Sequence, residues 1–118
     1  MTIVVAVADS PEGKAALNAA VTEAERFDSD VVAVNLGLRA LDVDGVSDTV
    51  AIRVVERSER DDRDPAELVL GEIASAGASR LVVGFKKRSA VGKALLGSVS
   101  QRLILDAPVP VLGVKAPE

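Results

Sequence analysis

The 118-residue chain contains no cysteine, no histidine, no tryptophan and no tyrosine. Without cysteine it has no disulfide, thiolate metal site or cysteine nucleophile, and without histidine it has no imidazole base or metal ligand. A Ser–His–Asp triad and histidine-based nucleotidyl transfer are therefore excluded. Carboxylate oxygen is the remaining class of metal ligand, and it suits Mg²⁺ or Mn²⁺.

Other features are scarce or missing as well. Phe27 and Phe85 are the only aromatic residues, which disfavours a flavodoxin because its flavin normally stacks on aromatic rings. No apolar run approaches the ~20 residues that span a bilayer, and the N-terminus lacks the basic region and cleavage site of a signal peptide. A net charge of −4 argues against nucleic-acid binding. We expect one cytoplasmic domain over residues 1–118, with no membrane partner.

One segment departs from the acidic composition. Residues 73–105 contain six Lys or Arg and no Asp or Glu, whereas the rest of the chain holds eight basic and all eighteen acidic residues. Within this segment, Gly84–Ser100 follows a strand-like run and precedes the helix-like run Gln101–Leu105. A glycine- and serine-rich turn between a strand and a helix offers backbone amides and a positive helix dipole to an anion, most often a phosphate. The pattern predicts a phosphate-binding loop.

Strand-like and helix-like runs alternate along the chain. We predict strands at Ile3–Ala8, Val31–Leu36, Val50–Arg57, Leu81–Phe85 and Val109–Val114. Helices are predicted to begin with Ser10 as N-cap and Pro11 as first residue, at Pro65, and near Ser98. Residues 37–48 indicate either a short helix or an irregular crossover. The alternation predicts an α/β fold, an open and mostly parallel five-stranded sheet with helices on both faces.

The charge of the third strand predicts the strand order. Arg53 and Arg57 suit an edge strand better than a central one. The order 3-2-1-4-5 puts that strand at an edge and reverses the strand order between the first and fourth strands. Ligands of such folds bind at the carboxyl ends of the strands where the order reverses. Asp9 and Gly84 would then border the same crevice.

These features resemble the universal stress protein family over nearly the whole chain. The strand that ends in Asp9-Ser10 matches the opening of the family, and Pro65-Ala66 matches the start of the helix before the fourth strand. The nucleotide-binding signature of the family is Gly, two residues, Gly, nine residues, then Gly and Ser or Thr. Gly84, Gly97 and Ser98 fall in register with it.

The resemblance implies a Rossmann-like fold of the adenine-nucleotide alpha-hydrolase type and an ATP-binding regulatory module of the stress response, with Mg²⁺ as the accompanying cation. The nucleotide-binding residues that it implies are Val7, Asp9, Leu36, Val83, Gly84, Lys87, Gly97, Ser98, Val99 and Ser100. It also implies a homodimer formed through the last strand, Val109–Val114. We expect no enzymatic activity. A slow nucleotide hydrolase is the weaker alternative, because Asp9 is the only candidate base.

Two departures from the family pattern bear on this reading. Lys87 stands where the second glycine of the signature belongs, and in nucleotide-binding members that glycine lets the loop pass close to the ribose and phosphates. Either Lys87 blocks the pocket, leaving a dimeric interaction module without ATP binding, or Lys87 contacts the phosphates directly. The second departure is residues 37–49, which replace the full helix usual between the second and third strands and thin the layer near the base and ribose.

Overall fold

A computed structural model of the chain describes residues 1–57, 63–88, 94–95 and 97–116; of residues 87, 88, 94 and 95 it describes the backbone. The strands in these residues are β1 (Thr2–Val7), β2 (Asp30–Asn35), β3 (Ile52–Val55), β4 (Arg80–Arg88), β5 (Ala94–Leu95) and β6 (Val111–Lys115). The helices are α1 (Pro11–Phe27), α2 (Pro65–Ala76) and α3 (Ser98–Asp106). None of the helices in these ranges is long and apolar enough to cross a bilayer.

The main sheet is parallel, with its strands in the order β3-β2-β1-β4-β6. Val4 of β1 lies opposite Val32 of β2 and Leu81 of β4, and Leu81 lies opposite Val111 of β6. This confirms the predicted order 3-2-1-4-5, since the fifth predicted strand is β6. The short β5 pairs antiparallel with the far end of β4.

Helices cover both faces of the sheet, as predicted. On one face α1 packs against the strands in an apolar cluster that includes Val5 and Leu17. On the other face α2 and α3 contribute Val69 and Leu103 to a second cluster around Val4. Strands that are buried on both faces need apolar residues at every position, which explains the continuous apolar runs of β1 and β2.

Helix α1 begins where the sequence predicts. The Ser10 hydroxyl accepts a hydrogen bond from the Gly13 amide at 3.1 Å, and Pro11 is the first helical residue. A Cβ on Gly13 would stand 1.8 Å from the carbonyl oxygen of Ala8. Glycine is therefore required here, because the first turn of α1 passes directly against the end of β1.

Several strand ends differ from the predictions. Strands β1 and β2 each begin and end one residue earlier than predicted, and β6 runs from Val111 to Lys115 instead of Val109 to Val114. Residues 36–51 form an irregular crossover without a helix. Strand β3 is limited to the four residues that pair with Val31–Val34 of β2, so the predicted ends Val50 and Arg57 lie outside it. Strand β4 runs on to Arg88, beyond the predicted end at Phe85. The extension pairs with β5, and a hydropathy pattern does not reveal such a pairing.

Candidate functional site

A cleft of about 530 Å³ opens at the carboxyl end of the sheet. Its floor comes from the ends of β1 and β4, where the strand order reverses. The first turn of α1, including Glu12, borders one side, and the start of α3 borders another. The fold therefore forms a cleft at the position where the sequence predicts a ligand crevice.

Most of the predicted site residues line this cleft. The predicted residues in its lining are Leu36, Val83, Gly84, Gly97, Ser98, Val99 and Ser100. The side chain of Lys87 and the loop 89–93 lie outside the described residues. The backbone at position 87 belongs to β4, an extended conformation that lysine adopts without strain. Any contact of these residues with a ligand stays a prediction.

Val7 lies elsewhere than predicted. Side chains alternate between the two faces of a strand, so Ala6 and Ala8 face the cleft and Val7 faces the opposite side of the sheet. Val7 is 3% exposed and packs in the apolar cluster under α1, which includes Ala16. Val7 is therefore a core residue of the strand and not part of the cleft wall.

Asp9 also lies outside the cleft lining. Its carboxylate accepts hydrogen bonds from the Arg39 side chain, from Nε at 3.2 Å and from Nη2 at 2.9 and 3.0 Å. The Arg39 side chain is 83% exposed and that of Asp9 is 49% exposed. The predicted meeting of Asp9 and Gly84 in one crevice is therefore not observed: Ala8, the residue before Asp9, faces the cleft instead.

The start of α3 has free backbone donors at the cleft. Gly97 is the N-cap residue and makes no side-chain capping bond, and the first backbone bond of the helix runs from the Gln101 amide to the Gly97 carbonyl at 3.0 Å. The amides of residues 98–100 have no acceptor among the described residues, and the first turn contains no acidic residue. Unpaired amides at a helix start attract anions, because the helix dipole adds to their partial charge.

Gly84 joins the two helix starts that border the cleft. It lies inside β4 and not at a turn. A Cβ at this position would stand 2.2 Å from the carbonyl oxygen of Glu12, so glycine lets α1 pack directly on β4. The Gly84 carbonyl also accepts a hydrogen bond from the Ser100 hydroxyl at 3.3 Å. Gly84 thus sets the spacing between α1 and α3 across the cleft floor.

The basic side chains of residues 73–105 that the structure describes do not all lie at the cleft. Arg80 lies at the opposite end of β4, where it pairs with Glu23 at 3.1 Å and its guanidinium carbon is 4.5 Å from the centroid of the Phe27 ring. Lys86 lines the cleft and has no acidic partner in the described part of the chain. Among the basic side chains of residues 73–105 that the structure describes, Lys86 alone is at the cleft.

Arg102 of α3 pairs with carboxylates and does not line the cleft. It forms ion pairs with Asp64, the N-cap residue of α2, with Glu67 of α2 and with Asp106 of its own helix. Desolvation lowers the pKa of Arg102, but attraction to Asp64 and hydrogen bonds to the other two carboxylates raise this pKa above its ordinary value. Arg102 therefore remains charged and ties α3 to the start of α2.

Sequence reasoning missed about half of the cleft lining. The lining residues not singled out as nucleotide contacts are Ala6, Ala8, Glu12, Gly13, Pro65, Phe85, Lys86 and Leu103. Of these, Phe85 and Lys86 fall within the predicted phosphate-binding loop Gly84–Ser100. The alternation of β1 could have indicated Ala6 and Ala8, since they share a face. Pro65 belongs to α2, and no local pattern shows that α2 reaches the cleft. Glu12 contributes a carboxylate, although the described residues contain no group of three possible metal ligands.

Comparisons with known proteins agree with one another. A sequence model described as the universal stress protein family matches residues 37–115. A universal stress protein from Mycolicibacterium smegmatis is 35% identical, with 96% of each chain covered. A solved universal stress protein from Archaeoglobus fulgidus has a TM-score of 0.75 at 27% identity over 98% of both chains. A structure of the universal stress protein from Archaeoglobus fulgidus in complex with dAMP has a TM-score of 0.69 at 23% identity over 98% of both chains.

Proposed function

The chain belongs to the universal stress protein family, and on that basis we propose that it is an ATP-binding regulatory module of the stress response. The cleft between α1 and α3 carries the proposal, because it combines an uncapped helix start and a lysine with an apolar lining, as a nucleotide site requires. The solved relative in complex with dAMP supports the choice of an adenine nucleotide. We also propose that the protein is cytoplasmic, as expected from the sequence.

The phosphate end of the proposed site is the start of α3. The amides of Ser98, Val99 and Ser100, which have no acceptor in the part of the chain that the structure describes, and the helix dipole favour a phosphate there. Lys86 adds a cation to the same cleft, and a charge-assisted contact to phosphate is stronger than a neutral one. These groups support an anionic ligand over a neutral one.

The nucleoside end of the proposed site is apolar. Ala8, Leu36 and Val83 contribute apolar lining to the cleft, and pockets for ring systems are mostly apolar with a few placed polar groups. Mg²⁺ that accompanies ATP is commonly held by one or two carboxylates together with the phosphates. Glu12 is the carboxylate that the described part of the cleft offers for that role.

We propose binding without catalysis. A general base must reach the proton that it removes, and the carboxylate of Asp9 is engaged by Arg39 outside the cleft lining. Incubation with ATP and Mg²⁺ should therefore release no phosphate above a buffer control. Phosphate release that Glu12→Gln abolishes would overturn this part of the proposal.

Calorimetric titration with ATP and Mg²⁺ tests the proposed function, after any nucleotide that co-purified has been removed. We expect saturable binding that Ser98→Ala weakens, because this substitution removes the Ser98 hydroxyl from the phosphate end of the cleft. Ser79→Ala is the matched control: the Ser79 hydroxyl bonds the Thr2 carbonyl at the opposite end of the sheet, so affinity should not change. Absence of binding up to millimolar ATP would refute the proposal.

The alternative is a dimeric interaction module that has lost ATP binding through Lys87. The engagement of Asp9 by Arg39 favours it, because that carboxylate is then less available to a nucleotide. The variant Lys87→Gly restores the signature glycine. A gain of ATP binding in this variant would support the alternative, and a loss of binding would identify Lys87 as a contact.

A homodimer formed through β6 is the proposed assembly. Strand β6 is an outer strand of the sheet and pairs with β4 on its inner side, and Val111, Leu112 and Val114 are only half-buried. Exposed apolar edges of this kind pair with other chains. Light scattering should give twice the monomer mass of 12.2 kDa. A monomeric mass at working concentration would count against the dimer.

A further inference from the structure

Residues 36–41, which we call the rim segment, leave β2 beside the cleft. The Leu36 amide donates to the Val7 carbonyl at 2.9 Å, so the rim segment begins in contact with the end of β1. A Cβ on Gly37 would stand 2.9 Å from the Cβ of Asp9. The rim segment therefore lies against the end of β1, and its first residue, Leu36, lines the cleft.

The inner side of the rim segment is anchored by Asn35, a buried polar residue with 4% exposure. Its Nδ2 donates to the Arg39 carbonyl at 2.7 Å and to Glu56 Oε2 at 2.6 Å, and its Oδ1 accepts from the Gly37 amide at 2.9 Å. Glu56 Oε1 in turn accepts from the Leu41 amide at 3.0 Å. The buried amide of Asn35 thus has its hydrogen bonds made, so this crossover holds a defined shape without a helix.

The outer side of the rim segment is anchored by Arg39 and Asp9. The guanidinium binds both carboxylate oxygens, with Nη2 at 3.0 Å from Oδ1 and Nε at 3.2 Å from Oδ2. Such two-point pairing fixes the orientation of both groups as well as their distance. Asp9 directly follows the cleft residue Ala8, and Arg39 belongs to the rim segment, which begins with the cleft residue Leu36. The pair therefore bridges the end of β1 and the rim segment.

We propose that Asp9 is a positioning residue that acts through Arg39: the pair holds the rim segment, and with it Leu36, at the nucleoside end of the cleft. In this arrangement Asp9 does not contact the ligand. The inference rests on the proposed nucleotide function, and it changes the role that the family resemblance implies for Asp9.

A double-mutant cycle tests the inference. Asp9→Ala, Arg39→Ala, the double variant and the exchanged pair Asp9→Arg with Arg39→Asp are titrated with ATP and Mg²⁺ and, separately, with adenosine. Each single substitution should lower affinity for both ligands by about threefold, a size typical of exposed ion pairs. The double variant should lose no more than either single variant, and the exchanged pair should recover most of the loss. The ratio of ATP to adenosine affinity should stay constant, since the phosphate end is untouched.

Hydrogen exchange without any ligand gives an independent measurement. Amides of the rim segment should exchange faster in Asp9→Ala and Arg39→Ala, and by the same factor in both. Arg53→Ala is the matched control: it removes an exposed pair with Glu72 at 3.2 Å, and Arg53 does not line the cleft. It should change neither the affinities nor the exchange of the rim segment.

The outcomes separate the two proposals. A further loss of affinity when Asp9→Ala is added to Arg39→Ala would show that Asp9 contacts the ligand, and it would overturn the positioning role. Unchanged affinity in both single variants would overturn it as well. If the wild-type protein binds neither ligand, the proposed function fails, and the exchange measurement still decides whether the pair holds the rim segment.

Discussion

The two helices that begin at the cleft differ in how their first turns are satisfied. Helix α1 starts with Ser10, whose hydroxyl caps the Gly13 amide, and Pro11 needs no acceptor because it has no amide hydrogen. Helix α3 starts with Gly97, which has no side chain to cap with. The first turn of α1 is therefore capped by its own residues. The first turn of α3 has backbone amides at the cleft that no side chain of the described residues caps.

The space around the first residues of the two helices also differs. Gly13 of α1 has no room for a side chain, because its Cβ would overlap the Ala8 carbonyl. A Cβ on Gly97 would have no heavy atom of the described residues within 4 Å. One helix start is packed against a strand end as part of the structure, whereas the other is open. The start of α1 is thus part of the packing of the fold, whereas the start of α3 is available for the proposed ligand.

The largest difference in stability should appear when the glycine at each of the two helix starts is replaced by alanine. Gly13→Ala should lower the free energy of unfolding by about 3 kcal/mol, the upper range for overpacking, because the added methyl meets backbone atoms. Gly97→Ala should cost less than about 1 kcal/mol. Urea unfolding monitored by circular dichroism measures both. Equal losses in the two variants would contradict the contrast between a packed start and an open one.

Removing one serine hydroxyl at each helix start should have smaller effects, and these should again differ between the two helices. Ser10→Ala should cost about 1 kcal/mol of stability through the lost cap. Ser98→Ala should change stability by less than about 0.5 kcal/mol, as for an exposed surface residue, while it weakens ATP binding. The same urea midpoints combined with calorimetry test this. A loss of stability in Ser98→Ala as large as that in Ser10→Ala would refute the functional role of the second start.

The cation at the cleft should have the smallest effect. Lys86→Ala should lower ATP affinity by up to about fivefold, the upper range for an exposed charge pair, and should leave adenosine binding unchanged. Added salt should shrink the difference between the variant and the wild type, because screening weakens the contact. Lys14→Ala, exposed on α1 and outside the cleft lining, is the control. An equal loss for adenosine would show that Lys86 acts through the structure of the cleft.

The fold was predictable because its signals are local. The apolar runs of β1 and β2, the cap at Ser10 and the Pro at the start of α2 each predict an element from neighbouring residues alone. The polarity of β3 indicated its edge position, and the strand order followed. The extension of β4 was missed although its partner β5 lies close by in the chain, with Arg88 paired to Ala94, because Lys86 and its basic neighbours lack the apolar residues that predict a strand.

The candidate site was predictable in part. The sequence alone determined the parallel sheet, the place where its strand order reverses and the glycine- and serine-rich start of α3, because these depend on residue type and order. Only the tertiary structure decided that Asp9 turns to Arg39, that Gly84 serves close packing with Glu12, and that Lys86 faces the cleft. Those features depend on which groups stand opposite across the fold, and that follows from the packing of elements distant in the chain.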